Sequence, residues 1–238
     1  MTDAPARFFT AGYAEHATLR DGTPIVLRLL TPEDKSLLQE GFERLSAESR
    51  YARFFSPKLA LTADELRYLC EIDQENHFAI GAVRADGDDD GDGPDDGRGD
   101  GPNDGQVGLG IARFIRLAEP PATAEAAITV ADEAQGRGLG KLLFLRLCAA
   151  ARERGIETFR CEVLGSNAGM QHLIEHVAPE RRIEVGGGVM SIEMAVPEVM
   201  PTEPIAAPLP ENPMYRLFRA AAENAVEWTD AICRLWGR

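Results

Sequence analysis

The chain has 238 residues, 44% hydrophobic and 27% charged, which is the composition of a soluble globular protein with one core and some appendages. No apolar run approaches the roughly 18 residues of a membrane span, and the start, "MTDAPARFFTAGYAEH", has neither the basic nor the apolar part of a secretory leader, so a cytoplasmic protein without membrane contact is expected. The net charge of −14 is concentrated in residues 86–105, where nine Asp and one Arg leave −6 for the remainder; with no basic face a nucleic-acid partner is not expected, whereas a cationic substrate is tolerated.

Residues 1–15 read as an N-terminal extension. "ATLRDGTPIVLRLL" then alternates β-branched and leucine residues around a glycine turn, predicting two strands or one bent strand. In "TPEDKSLLQEGFERL", Thr31 as N-cap, Pro32 at the first helical position and acidic residues in the first turn predict a helix start. "TADELRYLCEI" repeats the device, with Thr62 as cap and Glu65 completing a capping box. "HFAIGAVR" and "VGLGIARFIR" read as an antiparallel hairpin whose loop has been expanded by the Asp/Gly segment 86–105, a disordered acidic linker by composition. Its Asp-x-Asp-x-Asp-Gly runs resemble the opening of a calcium loop, but Gly97 and Gly99 stand at the twelfth positions where a bidentate Glu is needed.

Further on, "AEAAITVA" predicts a strand, "GKLLFLRLCAAARERG" a helix ended by Gly155, "ETFRCEVL" a strand and "AGMQHLIEHV" a helix, before the closing strands "RIEV" and "MSIEMAV". A proline-rich connector, 197–212, leads to an amphipathic helix over 213–236, whose apolar stripe fits packing on the body or on a partner. Cys70, Cys148, Cys161 and Cys233 are widely spaced without a CxxC pair, so reduced structural thiols are expected and no metal. "HLIEH" formally matches an inverted zinc-protease motif, but it lacks a third ligand, and two surface histidines on a helix account for it.

The most informative stretch is "ADEAQGRGLGKLLFLRL". Gly136, Gly138 and Gly140 alternate with Gln135, Arg137 and Leu139 just where a helix begins, so backbone amides are left uncovered at the positive end of a helix dipole, a setting for a phosphate. Neither a dinucleotide fingerprint nor a P-loop fits: the first would need glycine where Lys141 stands, the second GxxxxGK followed by Ser or Thr. "QGRGLG" resembles the Q/R-x-x-G-x-G/A signature of the GNAT N-acetyltransferases, and the order of elements over 16–196 is similar to that family. "LSAESRYARFFSPKLALTADEL", "EIDQENHFAI" and "AEAAITVADEAQGRGLG" resemble bacterial protein-lysine acetyltransferases of the Pat type.

The resemblance implies an α/β (α+β) GNAT fold, a central mixed, mostly antiparallel sheet flanked by helices, with acetyl-CoA as cosubstrate and an amine, most often a protein lysine, as acceptor. It implies that Ile128, Thr129 and Val130 pair with the pantetheine amides, that Gln135, Gly136, Arg137, Gly138, Leu139, Gly140 and Lys141 hold the pyrophosphate, and that Asn167 touches the CoA arm. Asn167 reads equally as an ordinary helix cap. Acetyl transfer needs a neutral amine, and the resemblance makes Glu125 the general base, its other reading being a solvated strand-edge carboxylate. Where small-amine acetyltransferases carry a Tyr seven residues after that Asn, this chain has Ile174, so no general acid is assigned. A small-molecule amine acetyltransferase and a catalytically weak acyl-CoA-binding module stay open as alternatives.

Overall fold

The computed structural model of the chain describes residues 7–85 and 105–199; the C-terminal helix expected over 213–236, Cys233 and nearly all of the acidic insert lie outside them. Eight strands form one sheet in the order β1-β2-β3-β4-β5-β6-β8-β7: β1 (Ala14–Thr18), β2 (Pro24–Leu29), β3 (His77–Ala85), β4 (Gln106–Arg116), β5 (Thr123–Val130), β6 (Thr158–Leu164), β7 (Arg181–Gly186) and β8 (Val189–Ala195). Every neighbouring pair is antiparallel except β5 and β6. The bent-strand alternative for the start of the chain gives way to a hairpin turned at Gly22, whose φ is +90°.

Helices α1 (Lys35–Arg44), α2 (Ala47–Phe54) and α3 (Ala63–Cys70) connect β2 to β3. A 3-10 turn over Pro32–Asp34 precedes α1, and the Asp34 carboxylate accepts from the Thr31 amide at 2.8 Å while also holding Arg28. At α3 the capping box forms as expected: Thr62 Oγ1 accepts from the Glu65 amide at 3.2 Å and the Glu65 carboxylate from the Thr62 amide at 2.8 Å. Sequence reasoning from propensity gave two helices in this region, but α2 is a third. It buries no residue fully, so it leaves no apolar stripe, and its one local signal is Ser46, whose hydroxyl accepts from the Ser49 amide.

Helices α4 (Leu139–Glu153) and α5 (Ala168–Val177) follow β5 and β6. Leu142 through Ala151 are all buried, with α4 packed on β3, β4 and β5 and against α5. Burying a Leu or Phe side chain contributes roughly 1.5–3 kcal/mol, so this run is a main source of stability. The buried Arg146 on α4 is held by the Glu15 carboxylate of β1 at 2.6 and 2.7 Å, which prevents an unpaired charge in the core.

Two further features position the site. Phe9 and Tyr13, placed by sequence reasoning in an extension, belong to the core. Their segment is anchored by Arg154, which donates to the carbonyls of Phe9, Gln74 and Ala150 and lies over the Phe78 ring, so the domain body begins before residue 16. Secondly, β4 carries a bulge: Ala82 pairs with Gly110 and Val83 with Gly108, leaving Leu109 as the extra residue. Gly110 therefore faces Leu139 and Leu143 of α4, while Gly108 faces Leu37 of α1 on the other side of the sheet.

Candidate active site

The parallel pair β5·β6 holds together through Thr123–Thr158, Ala124–Phe159 and Glu125–Arg160, and no further. Beyond that point β5 keeps its pairing to β4 as far as Val130, and β6 keeps its pairing to β8 as far as Leu164. The sheet thus splits into a wedge. The Ala131 amide donates to Leu109 on β4 at 2.8 Å, which sets the alternation along β5: the backbone groups of Thr129 are turned toward β4, and those of Ile128 and Val130 toward the gap. A row of polar backbone groups in an open wedge needs a partner.

The wedge opens into a cleft of about 690 Å³ lined by Ile128, Val130, Gln135, Gly136, Gly138, Gly140, Lys141 and Asn167. Those eight expected site residues come together. Thr129 does not line the cleft, since it lies on the α1 side of the sheet; the Leu139 side chain is in the core, so Leu139 could serve a ligand only through its amide, and the Arg137 side chain pairs with Asp21 at 2.6 Å outside the cleft lining.

The turn into α4 has Gly136 at φ +71° and Gly138 at φ +91°, left-handed conformations that favour glycine. A Cβ at Gly136 would meet nothing within 4 Å, so the backbone there is bare. Gly138 is the N-cap, and no side chain caps the helix among the described residues, which leaves the first-turn amides pointing out. The fit to a pyrophosphate is direct: bare amides, the positive end of a buried helix, and Arg20 and Lys141 on the rim.

Sequence reasoning missed how α2 is tied to this turn. Asp132 accepts from the Ser46 amide at 2.7 Å and from the hydroxyls of Ser46 and Ser49, and Gln135 donates to the Val130 carbonyl at 3.2 Å. Burial raises the Asp132 carboxyl, but these donors outweigh it and hold it below its ordinary range. Asp132 in "ADEAQ" was the available signal. At the far wall Asn167 caps α5, its Oδ1 accepting from Met170 at 3.0 Å, so the cap reading holds while the residue also lines the cleft. His172 and His176 face each other with ring centroids 4.2 Å apart, and both line the cleft; His172 is half-buried rather than a surface residue. Among the described residues no group of three or more His, Cys, Asp or Glu converges there. Cys70, Cys148 and Cys161 are free and buried, and burial pushes the Cys161 thiol up to about 12.

Glu125 sits at the last paired position before the wedge, exposed, with its side chain outside the cleft lining. It shares the sheet face of Arg113 and Ala127, the face covered by α1–α3, and its charge acts on Arg53 of α2.

Residues 34–178 match the acetyltransferase (GNAT) family. The chain is 29% identical over 214 residues to acetyltransferase Pat of Mycolicibacterium smegmatis, covering 86% of this chain and 56% of that protein, so it spans about half the length of that relative. It is 27% identical over 168 residues to acetyltransferase PA5475 of Pseudomonas aeruginosa, covering 69% of this chain and 81% of that one. Among solved structures, the GNAT domain of S. lividans PAT superposes with a TM-score of 0.63 at 26% identity, over 79% of this chain and 99% of that domain. The wedge, the bare glycine turn and the family match over more than half its length agree: the chain belongs to the GNAT family of acetyltransferases, enzymes that take their acyl group from acetyl-CoA.

Proposed function

We propose that the protein transfers acetyl from acetyl-CoA to a protein lysine, with Glu125 as general base. The observation that carries this reading is the placement of Glu125 where the sheet splits, exposed on the face away from α4. The similarity to Pat proteins supports a polypeptide acceptor, and an exposed carboxylate leaves room for one.

In this reading the open edge of β5 and the glycine turn bind and orient the donor, whose thioester supplies the electrophilic carbonyl. At about 3.3 Å per residue, Val130 lies roughly 16 Å along the strand from Glu125, and Ile128 only about 10 Å. Of the two β5 amides that face the gap, that of Ile128 is therefore the better donor for the negative charge developing on the carbonyl oxygen. Glu125 accepts the lysine proton directly or through one water, because a lysine ammonium near pKa 10.4 does not attack.

The test separates binding from chemistry. Glu125→Gln should keep its affinity for acetyl-CoA in calorimetry while turnover on lysine peptides falls about 10²–10⁴-fold, with a residual rate that climbs with pH. Undiminished turnover at neutral pH would remove Glu125 from the mechanism. Mass spectrometry of a host lysate incubated with acetyl-CoA and enzyme identifies the acceptor, and acetylation confined to small amines would overturn the lysine reading.

A further inference from the structure

A second cavity, about 100 Å³, lies on the other face of the sheet from α4, beneath α1, α2 and α3. Its walls are mostly apolar, with Leu37, Phe42, Phe54, Leu61 and Leu69 among them. An apolar cavity of about 150 Å³ takes benzene, so this smaller one suits a molecule of only a few heavy atoms.

Three guanidinium groups interrupt that wall, those of Arg28, Arg53 and Arg113, and the last two make no ion pair among the described residues. Arg113, from β4, is 5% exposed and reaches just two partners among the described residues, the Nε2 atom of His77 at 3.2 Å and, at a long 3.4 Å, the carbonyl of Leu69. Neither is anionic. Arg53, partly buried on α2, lies 5.2 Å from the Phe54 ring centroid and makes no ion pair among the described residues; the charge that acts on it is that of Glu125. Burial, and then the nearby Arg53, push Arg113 down to about 10. Elsewhere on the same wall the chain solves this problem, since Arg28 is held by both oxygens of Asp34 at 2.6 and 2.8 Å. A buried cation beside a second cation, with no carboxylate against it, is costly in a protein interior unless an anion joins it.

We propose that this cavity binds a small monocarboxylate, with the carboxylate between Arg113 and Arg53 and a short apolar tail among the leucines of α1 and α3. The planar guanidinium fork matches a carboxylate. The apolar wall selects an acid with a tail over a fully hydrated anion such as phosphate, and the volume limits the tail to a few carbons. The site is separate from the donor cleft and does not rest on the acceptor assignment.

The full chain is titrated with acetate, butyrate, hexanoate, butyramide and inorganic phosphate, followed by thermal melts and calorimetry. Butyrate should raise Tm in a saturable way and hexanoate less, while butyramide and phosphate leave it unchanged. Arg113→Met should lose the carboxylate shift. Because that change alters a buried charge, Leu37→Trp serves as the second variant: it fills the cavity and keeps both arginines, and should lose the carboxylate shift while keeping the acetyl-CoA shift. The proposal is overturned if no acid of the series binds, if butyramide or phosphate binds as well as butyrate, or if either variant retains the carboxylate shift.

Discussion

Gly138 and Gly140 stand two apart in the signature and serve different ends. Gly138 adopts φ +91°, whereas a Cβ on Gly140 would rest at 3.7 Å from Val130 Cγ2, an ordinary contact. Gly140→Ala is therefore expected to stabilise the protein by up to about 1 kcal/mol through helix propensity and to leave acetyl-CoA affinity intact. Gly138→Ala should cost about 1–2 kcal/mol from the left-handed backbone and weaken acetyl-CoA binding. Urea denaturation and calorimetry on both variants check this, and equal effects would mean that the turn is only a connection. At His77, burial and the adjacent Arg113 hold the imidazole down to about 4, against about 6.5 in an unfolded chain. The folded state then binds fewer protons than the unfolded state between those values, so the stability due to neutral His77 is complete above about pH 6.5 and lost as pH falls toward 4. His77→Gln should flatten the pH dependence of stability in that window; an unchanged slope in denaturation at stepped pH would place the titration elsewhere.

At the level of elements, the acidic segment interrupts a hairpin whose two strands already meet. Ala85 pairs with Gln106, so replacing residues 86–105 by a two-residue turn reconnects neighbouring ends. Stability and acetyl-CoA binding should stay nearly unchanged, because loop-closure entropy grows only logarithmically with length. A large loss in either, measured by melting and calorimetry, would give the segment a structural role. This hairpin was legible because both strands carry an apolar pattern that a turn-rich segment separates. The capping box at Thr62 and Glu65 was legible for a similar reason, being a local exchange of hydrogen bonds written in residues three apart. Helix α2 was not, since its placement depends on Asp132, which is 83 residues beyond Ser49. The bulge at Leu109 and the parting of β5 from β6 are equally hidden. They are set by pairing across the sheet, and neither "GLG" nor "AAITV" marks them. The eight cleft residues could be named from the glycine turn and its neighbours, but setting aside the Thr129 side chain needed the strand's phase, that of Leu139 the burial of α4, and that of Arg137 its pairing with Asp21 across the sequence.

On the scale of the whole molecule, the sheet is two parts joined by three residue pairs. β1–β5 form a continuous antiparallel ladder braced by α4, and β6–β8–β7 form a second ladder beyond the wedge. Without ligand, amide hydrogens in β6–β8 should exchange faster than those in β3–β5, and acetyl-CoA should slow the former most. Uniform protection before and after ligand addition would show that the split does not divide the sheet energetically. The open edge of β5 has one more consequence. In the proposed mode of binding its backbone groups would meet the pantetheine arm, which spent CoA still carries, so the released carrier would compete for the same edge as a fresh donor. Turnover would then follow the ratio of acetylated to free CoA around the enzyme, more than the amount of donor alone.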